Sequence, residues 1–261
     1  MLSMVRAQMY RIAKSRSIWA VCLIIALFVL ATPFALWLYQ IWPAFAETGI
    51  VELPDEPLPL LRIWGVSVVG GSAFPMMVGV LLTLVFAEDF KSGYVKNLVQ
   101  ARGGRVSYAL SAAVCSVIVS CAVTVGAAAL VALALAAQGY PFAMPTGTEA
   151  LGWMAQVALC SVAYAGVAVL AVLVTGSEAA GVVAAVVVGG GLVETALRLV
   201  LANIPGAPAA VRDCLDSYLA VDIAQLGQGI VCDPLTYVQA VATLAAAVAL
   251  WLLVIRRKSL A

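Results

Sequence analysis

Long apolar runs alternate with short polar connections along this chain. A helix needs about 20 apolar residues to span a hydrocarbon core roughly 30 Å thick. Six windows reach that length: about Ile18 to Tyr39, Trp64 to Ala87, Tyr108 to Ala137, Leu151 to Thr175, Ala179 to Ala202 and Tyr237 to Ile255. Backbone polar groups in lipid must be satisfied within the segment, so the runs read as helices and not strands. The third is long enough to tilt or to extend past the bilayer. The pattern predicts an all-α membrane protein with six transmembrane helices in one domain covering residues 1–261.

The stretches between the windows also carry pattern. In residues 1–17, Leu2, Val5, Met9, Ile12 and Ala13 recur at spacings of three and four, while Arg6, Lys14 and Arg16 fall mostly elsewhere. That spacing predicts an N-terminal interfacial amphipathic helix along the inner leaflet, its basic residues among the headgroups. A basic tail that only sets orientation is the alternative. The first window exceeds the 7–15 residues usual for a signal-peptide core, and bulky Trp37, Tyr39 and Trp42 stand where a cleavage site would lie. It is therefore read as a retained span with an aromatic anchor. Residues 203–235 begin with the breaker run Ile-Pro-Gly-Ala-Pro. Within them Val211, Leu215, Leu219, Ile223 and Leu226 recur near helical spacing, predicting an extracellular helical excursion, amphipathic or re-entrant, between helices five and six.

Charge adds an orientation. Eleven of the fourteen basic residues fall in the N-terminal segment, the connection between helices two and three, and the C-terminal Arg256-Arg257-Lys258. The acids Glu47, Glu52, Asp55, Glu56, Glu149, Asp213, Asp216, Asp222 and Asp233 fall in the alternate connections. Excess lysine and arginine marks the cytoplasmic side, so a multi-pass protein of the cell membrane with both termini in the cytoplasm is expected.

Composition narrows the chemistry. The chain is 64% hydrophobic and 10% charged, against about 25% charged residues in soluble domains. Lipid must then solvate much of the surface, and nothing suggests nucleic acid as a partner. There is no histidine, which removes the usual general base, the commonest metal ligand and every Ser–His or Cys–His nucleophile pair. No catalytic residue and no metal site is expected. Four cysteines lie in apolar runs and no CxxC occurs; Cys214 and Cys232 share the polar connection before the last helix. A disulfide between them and two unpaired thiols are both open. Glu194 and Arg198, four apart on the fifth helix, share a face. They read either as a structural ion pair or as pathway residues. Gly189, Gly190 and Gly191 just before them suit close helix contact or a hinge.

The connection Phe86 to Ser111 reads FAEDFKSGYVKNLVQARGGRVSYALS. Glu88 and Asp89 close the second helix, Gly93 interrupts a short amphipathic stretch, and Gly103-Gly104 break the chain before Arg105. Residues 88–106 form either a short helix that a cytoplasmic partner can push or an ordinary basic loop that sets topology. The run EDFKSGYVKNLVQARGGRVSY resembles the loop after the second helix in ABC-2 type permeases, including those of lantibiotic and bacteriocin immunity and bacitracin-type export. Glu88, Gly93, Lys96, Leu98, Gly103, Arg105 and Tyr108 occupy the family's places. Ala112 and Ala113 stand where the family often has a lysine. The resemblance implies a coupling loop that docks on a cytoplasmic ATP-binding subunit through Glu88, Asp89, Gly93, Tyr94, Lys96, Asn97 and Arg105. It also implies a second permease chain, identical or similar, and membrane lipid as surroundings.

ATP and magnesium would belong to the partner subunit. A phosphate loop needs Gly-Lys-Ser/Thr, and Lys14-Ser15 and Lys258-Ser259 follow Ala13 and Arg257. The expected function is therefore non-enzymatic: a permease subunit of an exporter for a peptide antibiotic, lipid-like compound or drug. The alternative is a non-catalytic membrane binding or assembly subunit of another complex.

Overall fold

The computed structural model describes residues 2–42, 57–91, 104–204 and 218–257. These form a helical bundle. Helices α1 (Leu2–Lys14) and α2 (Arg16–Ile41) are followed by a two-residue strand β1 (Leu58–Pro59) and a short helix α3 (Leu60–Trp64). A π-helical turn, Gly65–Val69, leads to α4 (Ala73–Lys91) and α5 (Gly104–Gln138). Strand β2 (Phe142–Ala143) precedes α6 (Gly147–Thr175), α7 (Glu178–Gly189), α8 (Leu192–Asn203), α9 (Leu219–Gly227) and α10 (Leu235–Arg257). The strands pair in parallel, Leu58 with Phe142 and Pro59 with Ala143.

Four helices (α2, α5, α6 and α10) are long and apolar enough to cross a membrane, and up to six spans exist if each of two bent pairs counts as one. Both bent pairs depart from the expected continuous helix. The second window begins at Leu60, and its two halves meet at 49° across Gly70–Ser72; the fifth bends by 54° at Gly190–Gly191. Gly70, Gly71 and Gly191 take positive φ of 51°, 72° and 73°, which costs glycine nothing and strains any residue with a Cβ. At the first break a Cβ on Gly70 would strike the Phe28 ring in the middle of α2.

Helix α6 is the central element. Its N-terminus carries a capping box: the Glu149 N–H donates to Thr146 Oγ1 at 3.3 Å, and the Thr146 N–H donates to Glu149 Oε2 at 3.0 Å. Left-handed Gly176 (φ 72°) ends it. Of its most apolar window 72% is buried inside the protein, against 22% for α2 and α10. The outer helices thus turn most of their apolar surface outward, including Trp19, Leu23, Leu27 and Phe34 on α2. Such surface suits a hydrocarbon solvent, where packing and hydrogen bonds join helices in place of the hydrophobic effect.

Those hydrogen bonds are visible. Trp251 Nε1–H donates to Gly166 O at 2.9 Å and Tyr237 O–H to Gly152 O at 3.1 Å. The equal sequence offset of these two bonds sets α10 parallel to α6. Ser120 O–H donates to Ala158 O at 2.8 Å, holding α5 on α6. Trp153 Nε1–H donates to Leu226 O at 3.0 Å, and Gln156 exchanges two bonds with the Cys232 backbone at 2.8 and 2.9 Å. These fasten α9 and the turn after it to α6.

Two predicted features differ in detail. Helix α1 turns Met4, Met9 and Ile12 onto the protein core, so its apolar stripe packs on α5, leaving Arg6, Tyr10 and Lys14 exposed. The segment expected as an excursion before the last helix is helical from Leu219, with Leu219, Ile223 and Leu226 buried. Val211 and Leu215 lie outside the described residues.

Candidate functional site

Two polar constellations stand out. The first lies at one end of the bundle, where α1, the end of α4, the start of α5 and the start of α7 meet. Arg11 donates from Nη1 to Asp89 Oδ1 at 2.5 Å, and the Tyr108 hydroxyl donates to Asp89 Oδ2 at 3.1 Å. Both Asp89 oxygens are thereby engaged, with the residue only 5% exposed. The Ser15 hydroxyl lies 3.0 Å from each oxygen of Glu88. Lys91 and Glu178 form an ion pair between α4 and α7. Deeper in, Cys115 Sγ lies 3.3 Å from Gln8 Oε1 and 3.7 Å from Val5 O, tying α1 to α5. A cavity of about 20 Å³ sits among Gln8, Arg11, Glu88, Asp89, Cys115 and Ser116, room for about one water.

The chemistry here is mechanical. Charge-assisted hydrogen bonds are roughly twice as strong as neutral ones, and a half-buried guanidinium on a buried carboxylate resists displacement because either charge left alone is poorly solvated. The Tyr108–Asp89 bond joins the last turn of α4 to the first turns of α5, closing the connection 92–103 at its root. Asp89 thus faces inward as an anchor, and Glu88 is held by Ser15. Gly93, Tyr94, Lys96 and Asn97 lie outside the described residues, as does the side chain of Arg105, whose backbone belongs to the first turn of α5. Arg11, Ser15 and Glu178 were not expected here; their partners lie 73 to 87 residues away, beyond anything periodicity reports.

The second constellation lies inside the bundle. Glu194 occupies the first turn of α8, after Gly191 as N-cap, and is 7% exposed. Its carboxylate stands at two helix N-termini, its own and that of α9 through the Ala220 N–H, and Arg198 acts on it electrostatically one turn further on. Aligned peptide dipoles at such ends favour negative charge. The Tyr164 hydroxyl faces the same carboxylate, yet neither oxygen of Glu194 nor the Tyr164 hydroxyl closes a hydrogen bond of ordinary geometry. Asp222 acts on Glu194 as a second negative charge, and its Oδ2 is likewise buried without a hydrogen bond. Burial raises the Asp222 carboxyl above the usual aspartate range, a bond from Thr236 pulls it back, and Asp233 raises it again. Sequence spacing pairs Glu194 with Arg198; Tyr164, Ala220 and Asp222 come to it only through the fold.

Beneath this site the two breaks touch. A Cβ on Gly189 would lie 2.8 Å from Met76 Cα and 3.0 Å from Met76 N, so α7 and α4 meet backbone to backbone. Ser72 Oγ reaches the Gly191 position. The remaining sequence candidates are cysteines. Cys232 is a free thiol, 8% exposed, with Sγ 3.4 Å from Asp222 O. Burial first, and then the Asp222 charge, push it up to about 11, so it is an unreactive thiol at neutral pH. Cys214 lies outside the described residues. Among the described residues no three His, Cys, Asp or Glu side chains gather to hold a metal. No protein-family model matches the chain, and no curated protein matches it significantly.

Proposed function

We propose that this chain is the membrane-spanning permease subunit of an ATP-binding cassette exporter of the ABC-2 type. Each bent pair counts as one span, giving six, with both termini and the connection 92–103 in the cytoplasm and α9 part of an extracellular excursion. A separate subunit hydrolyses ATP, a second permease chain completes the route, and the cargo is a peptide antibiotic, lipid-like compound or drug. The resemblance of residues 88–108 to the family's coupling loop is the starting point.

The anchored root of that connection carries the proposal. Asp89, Tyr108, Arg11 and the Lys91–Glu178 pair bind both its ends to α1, α5 and α7, so a push on it moves several helices together. A loop serving only topology requires no such fastening. The balance of charge supports the orientation: Arg6, Arg11, Lys14, Arg16, Lys91 and Arg256 outnumber Glu88, Asp89 and Glu178 at this end of the bundle, while Glu149, Asp222 and Asp233 outnumber Arg62 toward the other.

The test is affinity purification of the tagged chain from its native cell in mild detergent, with mass spectrometry of the companions. A stoichiometric ATP-binding protein is expected, retained by wild type and lost when Gly93, Tyr94 and Lys96 are replaced together. Purification of intact chain with no ATPase, where a known transporter stays assembled, refutes the permease assignment and favours a binding or assembly subunit.

A further inference from the structure

We propose that Glu194 and Asp222, with the hydroxyl of Tyr164, form a binding site inside the bundle for the ammonium or guanidinium group of an amphipathic organic cation. As a statement of what the protein transports it rests on the permease assignment; as a binding site it stands on its own geometry.

Unsatisfied acceptors are the first ground. Both oxygens of Glu194 and Oδ2 of Asp222 are buried without a hydrogen bond. So is the hydroxyl of Tyr164, a residue 6% exposed and turned toward Glu194. Buried polar groups almost always find partners, and here the missing partner must be a donor. Tyr164 and Asp222 both act on Glu194, so the three residues share one neighbourhood.

Charge gives the class. Among the described residues two carboxylates stand against one guanidinium, that of Arg198, an excess of acid that repels anions and favours a monovalent cation. The Tyr164 ring adds attraction for an organic cation over a strongly hydrated metal ion, and among the described residues no three His, Cys, Asp or Glu side chains gather into a metal cage. Apolar surface next to the site suits the rest of such a molecule: Leu197, Leu199 and Val200 on α8 are exposed. The bend at Gly190–Gly191 supplies a joint about which α8 can move to admit it.

The experiment uses the full chain in nanodiscs of zwitterionic lipid and radiolabelled phenethylammonium as probe. Saturable binding is expected, with affinity falling tenfold or more in Glu194→Gln and in Asp222→Asn. Glu194→Asp and Tyr164→Phe should lose less, and 2-phenylethanol, the uncharged analogue, should not compete. Glu194→Gln binding as well as wild type overturns the proposal, as does equal competition by the alcohol. Displacement of the probe by millimolar sodium or potassium assigns the site to an inorganic ion and also overturns it. Should Glu194→Gln fail to give monodisperse protein, Asp222→Asn on the half-exposed α9 decides alone. Recruitment of an ATPase, measured on the same preparations, separates the two claims. A chain that recruits the ATPase but ignores the probe loses this inference only. One that binds the probe without any ATPase loses the transport role only.

Discussion

Replacing Arg11 by alanine should release α1 from the bundle while leaving the bundle folded. At 2.5 Å and an effective dielectric constant near 20, the gross attraction between Arg11 and Asp89 is about 6–7 kcal/mol. Most of that is offset by the desolvation of two charges, and the Arg11 side chain remains 32% exposed against 8% for Asp89. Truncating Arg11 takes the charged donor away from a buried carboxylate and leaves the neutral Tyr108 hydroxyl on its other oxygen. That is the damaging kind of loss, worth about 2–3 kcal/mol here. Asp89→Asn should cost only about 1 kcal/mol, because the amide still accepts a bond and Arg11 can turn to water. The double variant should then be milder than the sum of the two.

Cys115 supplies the assay. It is buried between α1 and α5, with Gln8 and Val5 over its sulfur, so alkylation requires α1 to lift. With N-ethylmaleimide and site-resolved mass spectrometry, a 2–3 kcal/mol loss raises the labelling rate of Cys115 roughly 30- to 150-fold. Cys121, exposed on α5, serves as the internal control. An Arg11→Ala rate within twofold of wild type, in protein of unchanged helicity, would refute the claim that this pair holds α1 down.

Two further outcomes follow from geometry and burial. Gly189→Ala puts a methyl against the Met76 backbone, which cannot swing aside, so a loss of about 2–3 kcal/mol is expected; Gly126→Ala, open on that side, should cost nothing. Thermal unfolding in detergent compares them, and equal midpoints would mean that α4 and α7 are not in backbone contact. The native Asp222 carboxyl sits above its unfolded value, so the folded state binds more protons as pH rises from about 4, and stability falls through that window. Asp222→Asn should flatten the fall and be no less stable than wild type at pH 7; unchanged slopes in scans from pH 4.5 to 7.5 would rule this out.

The long apolar helices were legible because they rest on composition and length, which hydropathy reads directly. Helix α6 begins four residues before its expected edge, at the capping box of Thr146 and Glu149, a signal present in the sequence. The break at Gly70–Ser72 was hidden because it interrupts an apolar run without interrupting its hydropathy. The glycine triplet at 189–191 was readable as close contact or hinge, and it serves as both: Gly189 meets Met76 while Gly191 turns the chain. Spacing says nothing about partners across helices. Asp89, expected to face a cytoplasmic protein, is turned inward by Arg11, which lies 78 residues earlier in the chain. Glu194 stood out as an acid in an apolar run, but its neighbours Tyr164 and Ala220 are brought to it by tertiary packing alone.

The hydrogen bond between Tyr108 and Asp89 makes the connection from residue 92 to residue 103 a closed ring, joined at its base by something other than itself. The entropy of closing a ring grows only with the logarithm of its length, and doubling the number of links costs about 0.6 kcal/mol. By closure entropy alone, then, the number of links between Lys91 and Gly104 matters little to the two helices they join; what holds those helices together at the base of the ring is the bond itself, and its loss would be felt however short the ring.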